Sequence, residues 1–471
     1  MNANDILQDL NPAQHDAVIH RDGPMLVVAG AGSGKTRVLT HRIAHLIQED
    51  NIYPFQILAI TFTNKAAQEM KDRVAALVGP VAEKMWVSTF HSACVRILRR
   101  DAEQLGYPSA FSIYDQADAT RLTGYVVRDL GLDNKKFVAR SVHAHISNLK
   151  NELISTDTAL ERADGIFDRK VAEIYNEYQR RLRAAGAMDF DDLLTVTVEL
   201  FNNYPEALKH YQERVQHVLV DEYQDTNPAQ NDIVLKLGDK HRNVFVVGDS
   251  DQSVYAFRGA DIRNILEFEK AFPDTSVVIL DQNYRSTQTI LDAANSVISN
   301  NFGRKPKELW TDKSTGDKVI LYRADDEVDE ATYVAREIRA AVDTGRFRYK
   351  DVAILFRTNE QPRLFEQELR ANKVPYVLIG GQSFFDRREV RDMISYLKVI
   401  ANPDDELSLL RIINRPARGI GDGTVSKLLG RAVEAGKSLW HVLPQATVAG
   451  DIPQKGAENI ERFRTMIEQY R

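Results

Sequence analysis

The sequence predicts an α/β protein built on parallel sheets and interrupted by helical insertions. Two observations carry that reading. Short apolar, β-branched runs alternate with helical patterns in two zones. The first zone has MLVVA (25–29), ILAIT (57–61), HVLV (217–220) and VFVVG (244–248); the second has SVVIL (276–280), VILY (319–322), VAILF (352–356) and YVLI (376–379). Helical patterns at 64–77, 288–299, 328–341 and 360–371 lie between them. From 90 to 214, and again after about 380, the chain is charged and 3.6-periodic with no strong strand. The order is α/β, helical insert, α/β resumed, second α/β, second helical piece.

At 471 residues the chain has room for about three or four domains. Hydrophobic residues at 43% and charged residues at 27% fit an ordinary soluble protein. No run approaches about 18 uninterrupted apolar residues, so no membrane span is expected, and the N-terminus lacks a secretory pattern. One cysteine, Cys94, excludes an internal disulfide and any cysteine-based zinc or iron–sulfur site, which fits a cytoplasmic location. A net charge of −6 means that nucleic acid, if bound, is met through local patches. RILRR (96–100), RRLR (180–183), RKPK (304–307) and Arg411, Arg415 and Arg418 are such patches, each more simply a solvated helix face.

The first strand leads into the chemistry. MLVVAGAGSGKT is an apolar strand, a glycine-rich turn and a helix starting near Lys35. Backbone amides freed by Gly30, Gly32 and Gly34 can cradle phosphate oxygens at the helix N-terminus. Lys35 can reach β- and γ-phosphates and the Thr36 hydroxyl can bind Mg²⁺. Ala29 stands where the phosphate-loop pattern has glycine; Ala29, Gly30, Ala31, Gly32, Ser33 and Gly34 form the turn. Further on, HVLV ends in Asp221, placed to hold Mg²⁺, and Glu222, placed to act on an attacking water. The next strand ends in Gly248 and Asp249, followed by Gln252, a candidate γ-phosphate sensor. Tyr255, Phe257 and Arg258 put two aromatics and a cation on a polar loop. They either stack on bases, at about 1–3 kcal/mol each, or pack against a neighbouring domain.

Other features read as structural. His41 and His45 are four apart, but Arg42 stands where a zinc helix would have Glu; His143 and His145 are similar. Cys94 reads as core filler, and DDEVDE (325–330) as a solvated helix start.

Nine motifs occur in order: LNPAQ (10–14), AGAGSGKTR (29–37), TFTNKAAQEM (61–70), STFHS (88–92), MDFDDLL (188–194), VDEYQDTN (220–227), VGDSDQSVYAFRGA (247–260), LDQNYRST (280–287) and RPARGIG (415–421). Together they make the chain closely resemble the superfamily 1 DNA helicases of the UvrD/Rep/PcrA type. The resemblance covers essentially the whole chain. It implies an ATP-driven motor that moves 3′ to 5′ on single-stranded DNA and unwinds duplex, in DNA repair or replication. Implied partners are single strands and single-strand/duplex junctions; implied cofactors are ATP and Mg²⁺.

The resemblance also implies roles. Gln14 reads the adenine, Tyr284 stacks on it, and Arg37 lies near the nucleotide. Asp221 and Thr36 hold the metal, Glu222 is the catalytic base, and Gln252 and Arg285 reach the γ-phosphate, Arg285 from the second α/β domain. Phe62, Thr63, His91, Phe190, Tyr255, Phe257 and Arg258 match positions at single-stranded DNA, with Phe257 where Trp is common. Arg418, Gly419 and Gly421 match a duplex-contacting segment. The implied layout is two RecA-like domains with helical insertions: 1–89 and 215–275 for the first, 90–214 for its insert, 276–380 for the first part of the second, and 381–471 for part of the second insert. Two further family motifs do not occur in 380–471, so the chain is expected to be C-terminally incomplete. The last amphipathic segment, with Ile460, Phe463, Met466 and Ile467 on one face, is expected to be uncovered. Alternatives remain an ATP- and DNA-binding fragment without motor activity and a remnant of a helicase–nuclease.

Overall fold

The computed structural model describes residues 6–379, 388–447 and 452–471. It divides into two compact units, 1–316 with 392–471, and 317–391. The expected boundary at 380/381 lies outside the described residues.

The larger unit is organised by a six-stranded, all-parallel sheet. Its strands are β1 (Met25–Ala29), β2 (Ile57–Thr61), β3 (Trp86–Thr89), β6 (His217–Val220), β7 (Val244–Gly248) and β8 (Ser276–Leu280), in the order β3-β2-β6-β7-β1-β8. β1, β2, β6 and β7 are buried along their whole length. That is why they read as continuous apolar runs and not as alternation: helices cover both faces. One face buries Val27, Ala59, Leu219 and Val247 under the helices Pro12–Ile19, Lys35–Gln48 and Asn64–Val78. The other buries Leu26, Ile60, Val220 and Val246 against Phe90–Asp101, Phe190–Asn203 and Pro228–Gly238.

Three expectations change. Ser276–Leu280 does not open a second sheet; it pairs with β1 as the edge of the first, Leu280 opposite Ala29. The helical insert is narrower than 90–214. Helices Phe90–Asp101, Phe190–Asn203 and Pro205–Arg214 share the sheet's core, because Ile97, Leu200 and Tyr211 point into it. The insert proper has its own core around Val126, Ile146, Ile174 and Tyr178. It is closed by two short strands the sequence did not announce, β4 (Ser112–Tyr114) and β5 (Ala187–Asp189), paired in parallel. Finally, the last helix, Gln454–Tyr470, is covered. Ile460, Phe463 and Ile467 are buried with Leu428, Trp440 and Leu443, and Met466 packs at the edge of that core.

In the unit 317–391, helices Glu327–Asp343 and Pro362–Ala371 close on Ala335, Leu369 and Val374. The runs 319–322, 352–356 and 376–379 form no strand, and Val319, Leu321, Leu355 and Val377 are largely exposed. Their apolar pattern suits a sheet, but among the described residues no strand lies beside them.

The basic patches are mostly paired internally. Arg96 lies over the Trp86 ring and Arg99 over Phe111, at 4.9 and 3.9 Å. Arg180 and Arg181 hold Glu177.

Candidate functional site

Every sheet residue singled out above lies at the carboxyl end of a parallel strand, where such sheets open a crevice. β1 runs into the glycine turn. Gly30 N–H donates to Leu280 O of β8, and Ser33 Oγ to Gly30 O at 2.8 Å. Gly32 and Gly34 adopt φ of 69° and 90°, and Gly34 caps the helix Lys35–Gln48. A Cβ at Gly32 would lie 2.6 Å from Asn283 Nδ2, and one at Gly34 2.8 Å from Gln14 Nε2. Both positions therefore need glycine for conformation and for space. The turn leaves a cradle of amides at the start of a helix, which suits an anion.

Beside it, β6 delivers the acids. Lys35 Nζ bonds Glu222 Oε2 at 2.8 Å. Glu222 itself sits at φ 51°, a left-handed conformation uncommon for a residue with a side chain. Burial, reinforced by the Glu222 charge and opposed by Lys35, pushes the Asp221 carboxyl up to about 6. Burial, then the Glu222 charge, likewise pushes Asp225 up to about 6. β7 delivers Asp249, whose Oδ2 accepts from Gln252 Nε2 at 2.6 Å.

A metal fits this cradle through its donor chemistry. Thr36 and Asp221 offer a hydroxyl and a carboxylate, hard oxygens suited to Mg²⁺. Among the described residues no group of three or more His, Cys, Asp or Glu could cage an ion. Two protein oxygens supplemented by phosphate are the usual setting for Mg²⁺.

β8 brings the other wall. Asn283 Nδ2 donates to Ala31 O at 2.5 Å, and Tyr284 N–H to Gly32 O at 2.9 Å. Tyr284 and Arg285 are exposed at the rim of the glycine turn. Both belong to the same compact unit as that turn, where the second α/β domain was expected to present Arg285. Gln14 is buried, donating to Ser33 O at 2.8 Å, and Asn11 joins it to the Tyr284 hydroxyl. Arg37 is half-exposed beside Asp9 at 3.4 Å.

Two aromatic patches border this edge. At the ends of β2 and β7, Phe62 and Tyr255 rings lie 4.7 Å apart, Tyr255 and Phe257 5.9 Å, and Arg258 covers both of the latter. Phe257 is 66% exposed within the unit that carries it. Thr63 caps the helix Asn64–Val78. At the end of β3, His91 meets Phe190 edge-on at 6.0 Å, and burial lowers the His91 pKa.

Arg418 departs from its expected place. Its guanidinium turns inward, donating to the carbonyls of Ile412 and Arg415 at 2.9 and 2.8 Å and lying 5.1 Å over Phe463. Ile412 O, at the end of the helix Glu406–Ile412, also accepts from Arg415 N–H, and Arg415 O from the Tyr396 hydroxyl, so the guanidinium adds second donors to a turn that is already bonded. Gly419 and Gly421 are exposed, Gly419 at φ 74°.

Several participants escaped sequence reading. Asn11 and Asn283 are short polar residues inside quoted motifs whose partners lie far along the chain. Gln224 bonds Glu222 Oε2 and accepts from Asp249 N–H, tying β6 to β7. Lys307, within the RKPK patch, has a buried side chain whose Nζ grips Asp249 and Asp251 at 2.5 and 2.6 Å. His41 bonds Ile6 O and His45 faces Asp50, as expected of structural histidines; Cys94 is buried.

Residues 10–273 match the family model of the UvrD/REP helicase N-terminal domain, and 278–464 that of the UvrD-like helicase C-terminal domain. The chain is 48% identical over 466 residues to the ATP-dependent DNA helicase PcrA of Bacillus subtilis (strain 168), covering 99% of this chain and 63% of that protein. The PcrA proteins of Staphylococcus aureus (strain Mu50) and Staphylococcus epidermidis are 49% and 48% identical over 465 residues, 99% of this chain and 63% and 64% of theirs. The chain thus spans less than two thirds of the length of these relatives.

Proposed function

The chain belongs to the UvrD-like helicase family, and we propose that it provides the ATP- and DNA-binding engine of a 3′–5′ helicase that moves on single-stranded DNA and opens duplex at junctions. The observation that carries the proposal is the shared sheet edge. Phosphate turn, acid pair and both aromatic patches emerge from the ends of adjacent strands. The proposed polarity and a role in repair or replication rest on the motif likeness alone. A cytoplasmic location fits the single buried thiol and the absence of a membrane-length apolar helix among the described residues.

In this reading the amides of 30–34 and Lys35 bind the nucleotide phosphates, and Gln14 and Tyr284 flank the base. Bound Mg²⁺, held by Thr36 and Asp221, supplies charge neutralisation on the phosphates. Glu222 accepts a proton from the attacking water. Lys35, Gln252 and Arg285 stabilise charge on the transferred phosphoryl group, the dominant need in such chemistry. Phe62, Tyr255 and Phe257, with His91 and Phe190, stack on bases, and Arg258 attracts the backbone. Because Gln252 and Tyr255 share one short loop, a change at the γ-phosphate reaches the bases within three residues. The domain assignment proposed is a first RecA-like domain formed by the six-stranded sheet, with its insert at 112–189.

The test is ATP hydrolysis with and without single-stranded DNA, beside strand displacement on 3′-tailed and 5′-tailed duplexes. DNA-stimulated hydrolysis with unwinding of the 3′-tailed substrate is expected. Tight binding of both ligands without turnover points instead to a binding module; preference for the 5′ tail reverses the polarity.

A further inference from the structure

One polar junction lies outside the proposed phosphate and base contacts yet borders three of the elements that carry them. It is built at the end of the insert helix Ala139–Asn151. Lys150 is fully buried and bonds Asp189 Oδ2 and Asp192 Oδ1 at 2.7 and 2.8 Å, with the Tyr178 ring 5.0 Å away. Tyr178 OH donates to the same Asp189 oxygen. Asp189 and Asp192 form the capping box of the helix whose first residue is Phe190. Lys150 thus fixes the start of the helix that presents one aromatic patch.

The adjacent Asn151, also buried, is aimed at three separate elements. Its Nδ2 donates to Asp191 Oδ1 at 3.2 Å, in that same helix start. Its Oδ1 accepts from Asn227 Nδ2 at 2.6 Å, at the end of the loop that begins with Asp221 and Glu222. Its Cβ lies 3.3 Å from the position a Cβ would take on Gly259, the residue after Arg258 in the second aromatic patch. Gly259 has φ 81°, a conformation suited to glycine, and its lack of a side chain is what admits Asn151 beside it. A single buried side chain therefore bonds the acid loop and the Phe190 helix and lies close beside the turn after Arg258, where a side chain at Gly259 would meet it. Moving the acid loop or the Phe190 helix breaks a bond to Asn151, and moving Asn151 towards Gly259 crowds the turn.

We infer that Asn151, held in place by Lys150, is a positioning residue that couples nucleotide binding to DNA binding. The inference rests on the ATP- and DNA-binding reading. Coupling is measured by a thermodynamic cycle: the affinity for a fluorescent oligo(dT) with and without Mg²⁺ and a non-hydrolysable ATP analogue. In the wild-type chain the two affinities should differ by about fivefold or more, within the usual range of such couplings. In Asn151→Ala that ratio should collapse towards one, with the affinity for oligo(dT) alone and for the nucleotide alone each changed by less than about threefold. Asn151 Nδ2 also bonds Ser147 O at 2.8 Å; Asn151→Ser, which keeps a hydroxyl for that carbonyl but is too short for Asn227, should behave alike. A ratio retained in both variants overturns the inference, as does a wild-type ratio of one. Failure of both variants to fold makes Asn151 merely structural and overturns it too. A wild-type chain that binds neither ligand sinks the underlying reading with it.

Discussion

Asp221 sits where an ionised carboxylate is poorly solvated and faces a second acid one residue away. Burial first, then Glu222, raises it to about 6, against Lys35. The sign matters for stability. A carboxyl whose folded pKa exceeds its ordinary value of about 3.9 binds more protons folded than unfolded between those two values. Its contribution to stability is therefore lost as pH rises from about 4 to 6 and stays lost above. Asp221→Asn should raise the melting temperature of the ligand-free chain at pH 7.5 and flatten its dependence across that window, while weakening Mg²⁺-dependent nucleotide binding. A lower melting temperature for the variant at pH 7.5 would remove the argument. In the wild type, Mg·ATP affinity should fall as pH drops below about 6, because a protonated ligand must be deprotonated to bind metal. The Lys35–Glu222 pair separates two roles. Lys35→Ala should abolish tight Mg·ATP binding; Glu222→Gln should bind it nearly normally and hydrolyse it far more slowly. Equal loss of binding in both variants would show that the roles are wrongly divided.

The elements explain which substitutions perturb folding and which perturb binding. Arg418 closes the C-terminus of Glu406–Ile412 through carbonyl bonds and spans to Phe463. Arg418→Ala should destabilise the chain by about 1.5–3 kcal/mol in denaturant titration, the range for hydrogen bonds involving a charged group. An unchanged midpoint with a reduced salt slope of duplex binding would return it to the DNA surface. Phe257 is the opposite case: 66% exposed, it holds little of the core. Phe257→Ala should weaken single-strand binding by about 1–3 kcal/mol and leave the melting temperature nearly unchanged. This division also separates what was legible in the sequence from what was not. The phosphate turn and the acid pair were legible because a buried parallel strand reads as an apolar run and its end is marked by glycine or acid. The partner of a strand was not: SVVIL says strand, but nothing in it says that β1 is its neighbour. Nor does the apolar stripe of Phe90–Asp101 say which of two cores it enters. Lys307 looked like one more surface cation because its acids lie 58 and 56 residues away in the chain.

At the scale of the whole molecule, stability is unevenly distributed. The six-stranded sheet is buried on both faces and tied by continuous parallel ladders. Among the described residues of 317–391 the buried apolar cluster is small, Ala335, Leu369 and Val374, with Ile338, Tyr349, Ile354 and Tyr376 packed on it. Their extended runs make no ladder, and Leu321 and Leu355 are more than nine-tenths exposed. Backbone amides without protected partners open at small free energy, whereas those in a doubly covered sheet open only near the global unfolding free energy. Hydrogen exchange on this 471-residue chain should therefore be slowest in β1, β2, β6 and β7 and fast at 319–322, 352–356 and 376–379. Helices Glu327–Asp343 and Pro362–Ala371 should fall between, since each buries one face against the other. The same gradient sets aggregation: exposed β-branched runs with free backbone groups invite strand pairing between molecules. Replacing Leu321 and Leu355 with Lys should accordingly raise solubility without lowering the melting temperature of the sheet. Protection at 352–356 equal to that of β7 would show that these runs are paired in solution, and then charge placed at Leu355 should destabilise the chain.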